Sequence, residues 1–148
     1  MNTNPYQAPT PYEPADQRRD SPTPMNRTPF ILAAVGAGLA SGYWALLTLL
    51  IVFGVASGSV SGFHVVLPCV LIGLYALRGY QLFKGDPAAA KRILWLHGVG
   101  GVMALIQIFS GGTLIMVLQG IKLVIHVFGA LTAYLAARAY ADHQARGM

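Results

Sequence analysis

The sequence predicts an all-α fold: a polytopic membrane protein built as a four-transmembrane-helix bundle behind a disordered N-terminal tail. Three observations carry that prediction. Charged residues are 10% of the 148-residue chain, apolar ones are 55%, and the mean hydropathy is +0.55. A soluble domain wets its surface with about a quarter charged residues. Four stretches are each long enough to cross a hydrocarbon core of ~30 Å, which takes about 20 apolar residues at ~1.5 Å each. Finally, nine of the ten Lys and Arg fall on one side of the topology those stretches define.

Residues 1–29 hold seven of the nine prolines and three of the five acidic residues. Such a composition buries too little apolar surface to offset chain entropy, so a disordered cytoplasmic tail with local polyproline II character is expected. Its charges cancel, with Arg18, Arg19 and Arg27 against Glu13, Asp16 and Asp20. The PxxP spacing Pro11-Tyr12-Glu13-Pro14 reads as linker. A retained first helix is expected rather than a secretory signal, since Phe30 to Ala56 runs 27 residues without a charge, against roughly 7–15 in a signal core.

The first helix is expected over about 30–55 and ends at Ser57-Gly58-Ser59, a turn signal. The second, 63–83, contains Pro68, which should bend it, and stops at Lys84-Gly85-Asp86-Pro87. Pro87 suits a first helical turn; the third helix is expected over about 92–117. Its end is ambiguous, because Ser110-Gly111-Gly112 and Gln119-Gly120 both read as breaks. A turn at Gly111 would carry Lys122 about 14 Å into the fourth helix, a costly place for an ammonium. The turn is therefore expected at 119–120, with Gly111-Gly112 as a kink and the fourth helix over 121–140. Together the helices fill a membrane domain over 30–141, with 142–148 as a C-terminal tail.

By the positive-inside rule, both termini and the 84–92 turn are expected in the cytoplasm. The +5 charge and pI near 9.7 then describe a membrane face, and no nucleic-acid partner is expected. Tyr80, Phe83, Trp95 and Tyr140 fall at the inner headgroup level, while Trp44 is expected to be packed. Cys69 is a lone thiol in an apolar run and forms no intramolecular disulfide.

Small residues recur at the spacing that lets helices approach: Gly38 and Gly42 as GxxxG extended by Ala34, Gly98 and Gly101 near His97, and Gly129 with Ala133 and Ala137. Contact within the bundle, with a second copy, or with a membrane-protein partner is expected through these positions. Sliding the chain by 60 residues aligns Ala76-Leu77-Arg78-Gly79-Tyr80 with Ala136-Ala137-Arg138-Ala139-Tyr140, but the rest matches no better than chance. All five acids lie outside the spans, which removes carboxylate-driven proton-coupled export.

His64 and His126 fall at similar predicted depth toward the outer leaflet, on helices two and four. Facing imidazoles there would ligate a haem b or a metal, with Lys122 available for a propionate or an anionic headgroup. His97 and Gln107 read as interhelical hydrogen-bonding residues.

The opening Asn4-Pro5-Tyr6-Gln7-Ala8-Pro9, the Pro-rich linker, and the turn Leu82-Phe83-Lys84-Gly85-Asp86-Pro87 leading through Lys91-Arg92 resemble short bacterial four-helix inner-membrane proteins with an NPYxxP-type tail. The resemblance implies layout and location; no settled activity attaches to that group, so it transfers no functional residue.

Three functions follow as expectations. The leading one is a non-enzymatic integral membrane protein that acts by helix packing with itself or a partner, without catalytic site or cofactor. The second is a haem or redox subunit using His64 and His126. The third is a subunit of an oligomeric channel or transporter built around Gln107, Ser41 and Thr48.

Overall fold

The computed structural model describes residues 24–59, 61–109 and 112–146. Among them are four α-helices: α1 (Thr28–Ala56), α2 (Val66–Phe83), α3 (Pro87–Ile108) and α4 (Thr113–Arg146), with a 3₁₀ turn over Gly62–Val65 ahead of α2. Each of the four is long and apolar enough to cross a membrane. The fold is therefore an all-α bundle, and the architecture is that of a small multi-pass membrane protein. The tail, from Met1 through Thr23 with its NPYxxP and PxxP segments, lies outside the described residues, as do Ser110 and Gly111.

Helix boundaries differ from the sequence expectations for local reasons. α1 begins at Thr28, inside the expected tail, because Pro29 sits in the first turn, where its missing N–H leaves no carbonyl unpaired. The stretch 63–65 is 3₁₀ rather than α, since Pro68 has no N–H to give the His64 carbonyl. Pro68 thereby occupies the first turn of α2 and is buried. α3 starts at Pro87, five residues before expectation, because the Asp86 carboxylate accepts from Ala88 N at 2.8 Å and caps it. Gly85 ends the preceding turn at φ +86°, a conformation that disfavours any Cβ.

The largest correction concerns the third turn. α3 ends at Ile108 and α4 begins at Thr113, so the break precedes 119–120 and Lys122 lies nine residues, about 14 Å, inside α4. α4 also runs past 140 through Asp142 to Arg146, which places most of the expected C-terminal tail in the helix.

The bundle is inside-out. Its buried core is rich in alanine, with Ala33, Ala37, Ala40, Ala90, Ala133 and Ala136 at 0–1% exposure, whereas Phe53, Leu67, Trp95 and Val124 are more than 60% exposed. Bulky apolar residues outside and small ones inside suit lipid, where association rests on close packing. α1 packs on α2 and α4, and α3 packs on α4, but α2 and α3 touch far less. The ring of four is thus closed on three sides and open on the α2/α3 side.

Candidate functional site

The packing stripe on α1 is Ala33, Gly36, Ala37 and Ala40, all buried, offset from the Gly38/Gly42 stripe that the GxxxG pattern indicated. A Cβ added at Gly36 would stand 2.9 Å from Gly129 Cα, which marks a backbone contact between α1 and α4. At Gly38, Gly42 or Gly98 an added Cβ meets nothing within 4 Å; these three face outward. Gly129 and Ala133 are buried, and Gly101 lies against His126 Cβ. Three of the six expected packing residues therefore work inside the bundle.

The reason α3 and α4 approach so closely is a reciprocal arrangement of histidine and glycine. His97 of α3 lies over Gly129 of α4, and His126 of α4 lies over Gly100 of α3; a Cβ at either glycine would collide with the opposing imidazole. Both helices carry H-x-x-G, and antiparallel packing sets 97 against 129 and 100 against 126. Between the seats, His97 Nδ1 and His126 Nδ1 are 3.0 Å apart. One nitrogen donates and the other accepts, so with neutral rings the pair holds opposite tautomers. Tyr75 of α2 completes the cluster: its hydroxyl donates to the Leu96 carbonyl at 3.1 Å and lies 3.4 Å from His126 Nδ1. The three side chains are at most 2% exposed.

His64 is elsewhere. It is exposed on the 3₁₀ turn and lines a different cavity. No contact joins it to His126, whose Nδ1 is engaged by His97 and whose Nε2 edge lies over Gly100. A haem held by His64 and His126 gains no support from this geometry.

The open α2/α3 side forms a cavity of about 580 Å³. Apolar side chains such as Leu67, Leu71, Val99 and Met103 make most of its wall, and Tyr75, Arg92, Gln107, Lys122 and His126 supply its polar groups. On α3 the lining runs from Arg92 to Gln107, 15 residues or about 22 Å. A second cavity of about 530 Å³ shares Trp44, Leu67, Gln107 and Lys122 with the first and adds His64 and Gln119. Lys122 stands where the two meet.

Lys122 is 5% exposed, and its Nζ sits 4.8 Å from the centroid of the Trp44 ring. That cation–π contact offsets part of the desolvation which made this depth look prohibitive. Among the described residues no carboxylate or other hydrogen-bond acceptor pairs with the ammonium. Trp44 Nε1, Gln119 Oε1, His97 Nε2 and His126 Nε2 are likewise buried without hydrogen-bond partners.

The residues proposed for a channel are dispersed. Ser41 Oγ donates to the Ile72 carbonyl at 3.4 Å and Thr48 Oγ1 to the Trp44 carbonyl of its own helix at 2.8 Å. Only Gln107 lines the cavities with Lys122. Compared with protein-family models, curated proteins and solved structures, the chain gives no match. Its function is therefore read from the site alone.

Proposed function

We propose that this chain is a non-catalytic protein of the bacterial inner membrane that holds a lipid-sized molecule inside its bundle, admitted sideways between α2 and α3. The observation that carries this reading is the cavity of about 580 Å³ on the one side of the bundle that neighbouring helices leave open. Its size falls within the ~300–1,000 Å³ of small-molecule sites, and helical bundles place such sites between helices. Its wall suits an apolar chain, and its two cationic groups stand apart, Lys122 buried in the bundle and Arg92 exposed.

Filling the cavity tests the proposal. Leu71 lines it from α2, and Leu71→Trp should remove amphiphile adducts that native mass spectrometry detects on the wild-type protein released from mild detergent. Equal adducts on both proteins would sink the reading.

The orientation belongs to the same proposal: the end bearing Arg78, Lys84, Lys91, Arg92 and Arg138 is cytoplasmic, as the positive-inside rule requires. A single cysteine at Lys84 in a Cys69→Ser background should stay unlabelled by impermeant maleimide in intact cells. Labelling from outside would overturn it.

Self-association is a second reading, favoured by one observation: Gly38 and Gly42 leave open space on the outer face of α1. If copies pair there, Gly42→Ile should convert a discrete oligomer into monomer in mild detergent, and a mass unchanged by the substitution would count against it.

A further inference from the structure

Resting on the cavity reading above, we propose that the occupant is an acidic amphiphile, a single long acyl chain ending in a carboxylate. The carboxylate sits at Lys122, and the chain lies along α3 toward Trp95.

The argument is one of charge and of hydrogen-bond inventory. Lys122 is buried about 14 Å inside α4 with the face of Trp44 against its ammonium and, among the described residues, no carboxylate paired with it. Trp44 Nε1, also buried, is a donor with no acceptor. Both groups donate; Gln119 Oε1 is an unpaired acceptor on the second cavity, but it is neutral, and what the site lacks is a negative charge to match the ammonium. A neutral headgroup would leave the ammonium uncompensated in low dielectric, whereas an anion pairs with it directly. The second cavity, where His64 and Gln119 stand among mostly apolar residues, reaches the same ammonium.

The groove is long enough for an acyl chain. Each leaflet's acyl chains cover about half of the ~30 Å core, ~15 Å, and the stripe from Gln107 to Arg92 runs about 22 Å. One chain therefore fits lengthwise. The reverse orientation, with the carboxylate at Arg92, would press hydrocarbon against Lys122, and Arg92 is exposed at the basic end, where it meets lipid headgroups unaided.

The chain's two tryptophans, Trp44 and Trp95, both line the cavity, so brominated chains report on it by quenching. Purified protein in maltoside micelles is titrated with dibromostearate and, separately, with dibromostearyl alcohol. Saturable quenching by the acid is expected, with apparent affinity falling about 10- to 100-fold in Lys122→Met, the span of a charge-assisted hydrogen bond. Lys122→Arg retains the affinity to within roughly threefold, which shows that a loss in Lys122→Met is not misfolding. The alcohol binds more weakly, and equally in wild type and Lys122→Met.

Acid and alcohol quenching alike, with no effect of Lys122→Met, would overturn the acidic assignment while leaving the cavity reading standing. Absence of saturable quenching by either probe in the wild type would overturn the cavity reading itself. Loss of acid binding in Arg92→Gln but not in Lys122→Met would reverse the orientation and refute the proposal. Displacement of dibromostearate by phosphatidylglycerol at lower concentration than by stearate would assign the site to a two-chain phospholipid instead.

Discussion

Replacing Gly129 with alanine should destabilise the bundle far more than the same change at Gly38 or Gly98. The added Cβ would lie 2.3 Å from His97 Cε1 and Nε2, whereas carbon atoms rest at about 3.5–4.0 Å. The imidazole must move by more than an ångström. α4 has no room to retreat toward α1, because Gly36 and Gly129 already meet backbone to backbone. Either α3 separates from α4, or His97 rotates and gives up its 3.0 Å bond to His126. Overpacking costs ~1–3 kcal/mol, and a lost interhelical hydrogen bond adds ~0.6–1.7 kcal/mol. Better helix propensity returns ~0.5–1 kcal/mol. The net loss is about 1–4 kcal/mol, while Gly38→Ala and Gly98→Ala, which meet nothing within 4 Å, should be neutral or slightly stabilising. Unfolding in mixed dodecyl sulfate micelles, followed by far-ultraviolet circular dichroism, measures the difference. Adding His97→Ala to Gly129→Ala removes the colliding ring, so the double variant should lose less than the two single losses combined. Equal midpoints for Gly129→Ala and Gly38→Ala, or strict additivity in the double variant, would refute the reciprocal seating of the histidines.

Three further outcomes follow from other contacts. Tyr75→Phe removes the hydroxyl that ties α2 to the Leu96 carbonyl and to His126, and should cost about 1–2 kcal/mol in the same unfolding measurement. In delipidated protein, Lys122→Met should raise stability: an intramembrane charge costs ~2.5–3.5 kcal/mol, and the Trp44 contact returns only ~0.5–2 kcal/mol. A lowered midpoint would mean that Lys122 is compensated by a group other than Trp44. Asp86→Ala removes the cap on Ala88 N and should cost about 1 kcal/mol, read as faster backbone amide exchange confined to the first turn of α3.

The existence and order of the four helices were legible because length and apolar content alone decide whether a segment can span a bilayer. Which face of each helix packs was not legible. α1 is apolar all round, so its sequence carries no amphipathic signal, and the GxxxG at Gly38 and Gly42 drew attention to a stripe rotated away from the true one at Gly36 and Ala40. The third turn was misplaced for a related reason. The cost of Lys122 was weighed within α4, but the group that lowers it, Trp44, comes from α1, 78 positions away in the chain. Intramembrane charge is judged against neighbours on other helices, and a single helix's sequence does not name them.

Part of the site was written in the sequence in a form that spacing rules for metals and haem pass over. His97–Gly100 and His126–Gly129 repeat H-x-x-G on helices joined by a short turn, and antiparallel neighbours set each histidine against the other's glycine. That pattern has a consequence for the cavity as well. Glycine seats let α3 lie close on α4, with Ala90, Ile93, His97 and Ala104 buried along its length, and this draws α3 away from α2. Tyr75 is the hydrogen bond that still spans the gap among the described residues, through its hydroxyl and the Leu96 carbonyl. The tight α3/α4 seam and the open α2/α3 groove are therefore two results of one packing choice. It also puts His126 in both, as a floor of the groove and a wedge in the seam. Whatever occupies the groove at Lys122 lies one helical turn from the contact that holds α3 to α4.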